Sequence, residues 1–199
     1  MKTMRTPGPV TPANKQIARY IASVFGGTPH VDEYANDSET LFVGILSCRD
    51  RPGEGVTSYS TIKLSDHPMM QGGEEFPVRI ELAGVCENRV TSFPNLLASA
   101  AFHIMQSEGV YRPGTVIPDF VRESHMSSTL PHLYLTAPFL WEETLTVLDC
   151  GTKRVTWLLA MPISEAEYAY LQEHGDHAFE HLLEEQQVDV FDPERRSAV

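Results

Sequence analysis

The sequence predicts an α+β protein with a mixed, largely antiparallel central sheet flanked by helices. Three observations carry this. A capped helix opens the chain at Thr11-Pro12. Strand-like runs cluster in 40–85 and 130–161, split by one long apolar helix that opens at Phe93-Pro94. Two further helices follow, the first started by Ser164-Glu165-Ala166-Glu167. Helices segregated from strands, instead of alternating with them, mark this class.

Thr11 is a good N-cap, and Pro12 fills a position whose missing N–H costs nothing. Ile17, Tyr20, Ile21, Val24 and Phe25 recur at helical spacing, and Gly26-Gly27 ends the run. Thr28 to Glu39 is polar, with Asp32, Glu33 and Asp37. Thr40–Cys48 and Val56–Leu64 read as strands, separated by a Pro-Gly loop. Phe76–Val85 alternates, with Val78, Ile80 and Leu82 on one side and Arg79 and Glu81 on the other. The helix from Phe93 to about Glu108 is apolar on nearly all sides, the pattern of a helix sandwiched between layers. Gly114–Ile117 reads as a short strand and Asp119–Thr129 as irregular. Leu130–Ala137, Thr144–Leu148 and Val155–Met161 read as strands, with Asp149–Thr152 as a hairpin turn. Ser164 and Glu167 form a capping box, Gly175 stops that helix, and Asp176 reads as the N-cap of the last one. This gives a disordered tail over 1–11, a single domain over 12–193 and a C-terminal tail over 194–199.

Composition narrows the functional classes. The chain has 199 residues, 42% of them hydrophobic, with 15 basic against 27 acidic residues and a formal net charge of −12. Nucleic acid and anionic membrane both select basic patches, so neither is expected as a partner. A basic protein partner suits the charge, since acidic residues speed and orient its approach. No apolar run reaches the ~20 residues of a membrane span, and Met1–Thr11 lacks the apolar stretch of a secretory signal, so a cytoplasmic protein is expected. Cys48, Cys86 and Cys150 form no Cys-x-x-Cys pair and read as reduced thiols of a cytosolic fold.

No nucleophile elbow, phosphate loop or dinucleotide fingerprint occurs. Asp66-His67 is a weak base-and-orienter pair. Glu74-Glu75 and Glu142-Glu143 are carboxylate pairs without a flanking apolar pocket. His177-Ala178-Phe179-Glu180-His181 matches the His-x-x-Glu-His pattern of inverted zinc proteases. On a helix, however, Phe179, Leu182 and Leu183 form the apolar stripe, while His177, His181 and Glu184 fall opposite and face water. A third ligand in an enclosing cleft is also required. The chain is therefore expected to be no enzyme, with no catalytic residue, cofactor or metal. A metal-dependent hydrolase built on His177, Glu180 and His181 is the alternative, with His177, His181 and Glu184 as its ligand set.

Several segments, in order, resemble the Suppressor of fused family over roughly residues 15 to 193. They are Tyr59-Ser60-Thr61-Ile62-Lys63-Leu64-Ser65-Asp66, with its Leu-Ser-Asp turn, and Phe76-Pro77-Val78-Arg79-Ile80-Glu81-Leu82, with its central Glu. Phe93-Pro94-Asn95-Leu96-Leu97 and Gln106-Ser107-Glu108 bound the long helix, and Pro113-Gly114-Thr115-Val116 follows. Met161 to Glu167 and Val188 to Pro193 complete the set. The resemblance implies a mixed sheet with flanking helices and no catalytic machinery. Animal members of that family bind Gli-type transcription factors by strand addition, with the help of a second domain. Compact bacterial members look like immunity proteins that block a cognate polymorphic toxin. This sequence carries nothing similar to the second domain. It has Gly114-Thr115-Val116 where animal members carry Gly-Asp-His, and His103 where they carry an aromatic. The bacterial form is the better match, implying a protein partner such as a basic toxin domain. Exposed aromatic and apolar residues are the expected anchors: Phe102, His103 and Met105 on the long helix, Thr115 after it, and Phe139, Leu140 and Trp141 in the run after the Leu130–Ala137 strand.

Overall fold

The computed structural model describes residues 8–141 and 143–199. Residues 1–7 of the expected tail, and Glu142 of the Glu142-Glu143 pair, lie outside the described residues. In chain order the elements are α1 (Pro12–Phe25), β1 (Pro29–Ala35), β2 (Phe42–Arg49) and β3 (Val56–Ile62). A small ribbon of β4 (Met70–Gln71) and β5 (Glu74–Glu75) precedes β6 (Arg79–Glu87). Then come α2 (Phe93–Gln106), β7 (Thr115–Ile117), α3 (Phe120–Glu123), β8 (His132–Thr136) and β9 (Leu148–Asp149). The described elements end with β10 (Arg154–Ile163), α4 (Glu165–His174) and α5 (Asp176–Glu185).

The main sheet runs β1-β2-β3-β6-β10-β8-β7, with β9 pairing β10 at its start. Every contact is antiparallel except β6 with β10, where Leu82 lies opposite Leu158 in a parallel register. The sheet is thus mixed and largely antiparallel, as the sequence predicts.

The period of two along the strands assigns the two faces. Leu158 and Ala160 of β10, with Leu133 and Leu135 of β8, pack under α2. The alternate β10 residues Val155, Trp157 and Leu159 pack under α1, while Met161 and Ile163, with Tyr134 of β8, pack under α4 and α5. Helix α2, with the short α3, therefore covers one face, and α1, α4 and α5 cover the other. Gly84 explains how closely α2 approaches. A Cβ on Gly84 would sit 2.6 Å from two ring carbons of Phe93, so a hydrogen there lets the α2 N-terminus rest on β6.

A buried polar cluster locks the Leu64-Ser65-Asp66 turn to both faces of this frame. The fully buried Glu81 carboxylate accepts from Thr61 Oγ1 at 2.6 Å, Ser65 Oγ at 2.6 Å and the Ser65 N–H at 3.1 Å. Lys153 Nζ donates to Ser65 Oγ and to Asp66 Oδ1, and Asn14 of α1 donates to both Asp66 oxygens. Burial lifts the Glu81 carboxyl above its ordinary value despite these bonds. Asp66 is fully engaged by Asn14 and Lys153 and does not orient His67.

Five local readings are corrected. The polar stretch 28–39 contains β1, a strand paired to β2 over seven residues. It sits at the sheet edge with nearly every side chain exposed, so it has no apolar face to produce alternation. Thr144–Leu148 is not a strand beyond Leu148. The Tyr20 hydroxyl accepts the Thr146 N–H at 2.8 Å and lies 2.9 Å from the Thr144 carbonyl, replacing a partner strand. The irregular region 119–129 contains the short helix α3. Asp176 is the first residue of α5, and the cap is Gly175, whose φ of +84° suits glycine. Within the expected C-terminal tail, 194–199, Arg195 and Ala198 are buried against α4 while the other four residues are exposed.

Candidate partner-binding groove

A groove of about 910 Å³ opens where α5, the segment after β8 and the strap following α5 meet. Each wall has a local cause. After β8, Pro138 starts a single 3₁₀ turn over Phe139–Trp141, closed by Trp141 N–H to the Pro138 carbonyl. Residues two apart in such a turn point to different sides. Trp141 turns inward, its ring 4.7 Å from that of Phe25, while Phe139 turns into the groove and remains 41% exposed. Helix α5 is fixed by Phe179, fully buried against Tyr134, and by Glu180. The Glu180 Oε1 accepts from the Tyr134 hydroxyl at 3.2 Å and from the Thr136 hydroxyl. Burial, reinforced by the nearby Glu180 charge, holds the Tyr134 phenol far above its usual range, so it remains a donor.

The third wall is the strap. Gln187 adopts a left-handed backbone with φ of +51°, and the Val188 N–H bonds back to the Leu183 carbonyl, reversing the chain out of α5. Val188 and Val190 pack on the α4–α5 cluster and Phe191 on the α1 side. The strap is then pinned by Glu87 N–H to the Phe191 carbonyl, by Arg89 to Asp192 at 2.8 Å, and by a bidentate pair between Arg195 and Glu167.

The lining is apolar at depth, with Leu145 and Leu183 buried, and acidic where it opens, with Glu184 and Asp189 exposed. Among the described residues no Lys or Arg lines it.

The structure distributes the sequence-predicted anchors over four places. Phe139 and Leu140 line the groove, whereas Trp141 is a core residue and not a surface anchor. Thr115 lies on the edge strand β7, beside a cavity of about 540 Å³ that it shares with Tyr168 and Asp176. Phe102 and Met105 are half-buried on α2, across the sheet from the groove. His103 is exposed, edge-on to Tyr111 and Phe120. The groove's strap residues Val188, Asp189, Val190 and Phe191 were not singled out as anchors. Their apolar-acidic alternation was the available signal.

The alternative ligand set does reach one place, because His177, His181 and Glu184 all line the groove and are exposed. Glu180 is turned to Tyr134 and Thr136 instead, and His181 Nδ1 lies 3.5 Å from Glu185. Among the described residues no three His, Cys, Asp or Glu side chains gather as a metal site. No helix of the described residues is long and apolar enough to cross a membrane.

The structure thus presents a mixed sheet covered by helices on both faces, with an open groove that is apolar at depth. The chain belongs to the Suppressor of fused family, whose profile, described as Suppressor of fused protein (SUFU), matches residues 41–196. It is 40% identical over 190 residues to the Immunity protein YqcF of Bacillus subtilis, an alignment spanning 96% of this chain and 99% of that one. The fold is similar to that of a Suppressor of fused homologue from Neisseria gonorrhoeae, with a TM-score of 0.70 at 15% identity over 94% of this chain and 97% of the other. It is also similar to Drosophila Suppressor of Fused, with a TM-score of 0.68 at 14% identity over 94% of this chain and 51% of that one. At these identities the two structures speak to the fold alone.

Proposed function

We propose that this chain is a non-catalytic, cytoplasmic immunity protein that neutralises a cognate toxin by direct binding. The observation that carries the reading is the 40% identity, over nearly the full length of both chains, to a protein named for immunity. The surface supports it. An acidic protein with a formal charge of −12 and an open groove has what fast, tight capture of a basic protein needs: apolar contacts for affinity and charge for on-rate. On this reading the groove is an interface wall, and Phe139 is the anchor brought furthest into solvent. Phe102, His103, Met105 and Thr115 remain candidate contacts on the α2 face and the β7 edge.

The test is co-expression with the toxin domain encoded beside the gene for this chain. Growth of toxin-expressing cells should be restored by the parent chain, and the purified pair should elute as one complex. Toxicity that persists at full expression of this chain refutes the reading. So does protection by a chain that turns over a substrate and forms no complex.

A further inference from the structure

We infer that the groove between α5, Phe139 and the strap receives an extended partner segment in which an apolar side chain is flanked by lysine or arginine. This rests on the immunity reading and names the chemistry of the contact. The charge at the groove selects the sign of the partner. Among the described residues, which include 13 of the chain's 15 Lys and Arg, none of these lines the groove, while Glu180, Glu184 and Asp189 do. Glu180 is anchored to Tyr134 and Thr136, whereas Glu184 and Asp189 are exposed on two different walls, Asp189 accepting the Phe191 N–H at 3.0 Å through Oδ1 and keeping Oδ2 for a partner. A basic side chain on either side of an apolar anchor would therefore meet a carboxylate on each wall.

The apolar lining selects the anchor. Leu145 and Leu183 are buried at depth, Leu140 and Val188 are half-buried, and Phe139 projects at 41% exposure. At about 910 Å³ the groove is larger than one side chain requires and suits a short segment. A second copy of this chain is disfavoured as the occupant, because it would bring another net charge of −12 against the same acidic lining.

Two measurements separate this inference from the reading beneath it. The first uses synthetic octapeptides and the full-length chain. A fluorescein-labelled Lys-Lys-Ser-Phe-Leu-Ser-Lys-Lys is compared with versions carrying Glu for Lys, or Ser for Phe and Leu, by anisotropy. The parent peptide should bind about 10-fold or more tightly than either version, and the advantage over the Glu version should shrink in high salt. The double variant Glu184→Lys/Asp189→Lys should lose about 10-fold for the parent peptide, with a thermal midpoint within about 3 °C of the parent's, because both residues are exposed and only the exposed bond from the Phe191 N–H to Asp189 is lost. Equal binding of the three peptides, or of parent and double variant, overturns the inference. The second measurement titrates the toxin domain against Phe139→Ser and the double variant. Weakening by about 10-fold or more supports the groove. Binding within twofold of the parent chain overturns the groove and leaves the immunity reading standing. Failure of the parent chain itself to bind refutes that reading alone, since the peptide measurement still decides the groove.

Discussion

Arg195→Ala is expected to destabilise the protein by about 3–5 kcal/mol, the cost of stranding a buried charge. The magnitude follows from the geometry around Glu167. Its side chain is 0% exposed and that of Arg195 is 5% exposed. The guanidinium makes bonds of 2.6 and 3.0 Å to the two carboxylate oxygens, and the Ser164 and Ala198 N–H groups complete the shell at 2.8 and 2.9 Å. Without Arg195, two N–H donors remain and no countercharge. The neighbouring Arg89–Asp192 pair cannot compensate. It is largely exposed on the arginine side, and such pairs contribute about 1 kcal/mol or less. The strap wall of the groove should loosen with the pair, so amide exchange should rise at Val188–Phe191. The assay is equilibrium urea unfolding followed by tryptophan fluorescence, with Arg122→Ala as an exposed-pair control expected to lose under about 1 kcal/mol. Arg195→Lys should recover only part of the loss, because one ammonium cannot replace the fork of two bonds. A loss for Arg195→Ala no larger than that of Arg122→Ala would refute the argument.

Trp141→Ala should cost about 3–5 kcal/mol, since the ring is buried against Phe25, whereas Phe139→Ser should cost under about 0.5 kcal/mol; similar urea midpoints for the two would contradict their assignment to core and groove. Gly84→Ala should cost about 1–3 kcal/mol by driving a methyl into the Phe93 ring, with Phe93→Leu in the same chain returning part of it; a neutral Gly84→Ala would show that α2 moves freely. Burial raises the Glu81 carboxyl, so its protonated form is the stabilising one. That contribution is present below the ordinary value of 4.5 and is lost as pH rises through the folded value. The stability of Glu81→Gln relative to the parent should therefore increase with pH across this window, and parallel pH profiles would count against it. Burial pushes the Cys86 thiol up to about 12 and raises Cys48 and Cys150 as well, but only Cys150 is open to solvent, so a thiol reagent at mildly alkaline pH should modify the half-buried Cys150 first and the other two only on unfolding. Two rapidly reacting thiols would refute this.

What was legible in the sequence was whatever neighbouring residues encode together. Thr11 caps the first helix ahead of Pro12, and Ser164 with Glu167 closes a capping box within one helical turn. Ile17, Ile21 and Phe25 repeat with the helix, and β10 alternates with the pleat. The hairpin turn before β10 was readable from Asp149 to Thr152. Strand β1 was not readable, because pairing to β2 holds it through backbone bonds and its exposed side chains follow no pattern.

The sequence by itself determined the four longer helices, most strands, the acidic surface and, through the order of its short motifs, the family. Tertiary structure alone decided which apolar residue is a candidate anchor and which is core. Phe139 and Trp141 are two positions apart with similar chemistry, yet Phe25, far away in the chain, takes one and leaves the other to solvent. The same holds at the C-terminus, where Arg195 reads as a tail charge until Glu167 of α4 meets it. Burial is a property of contacts between distant residues, and local pattern cannot report it.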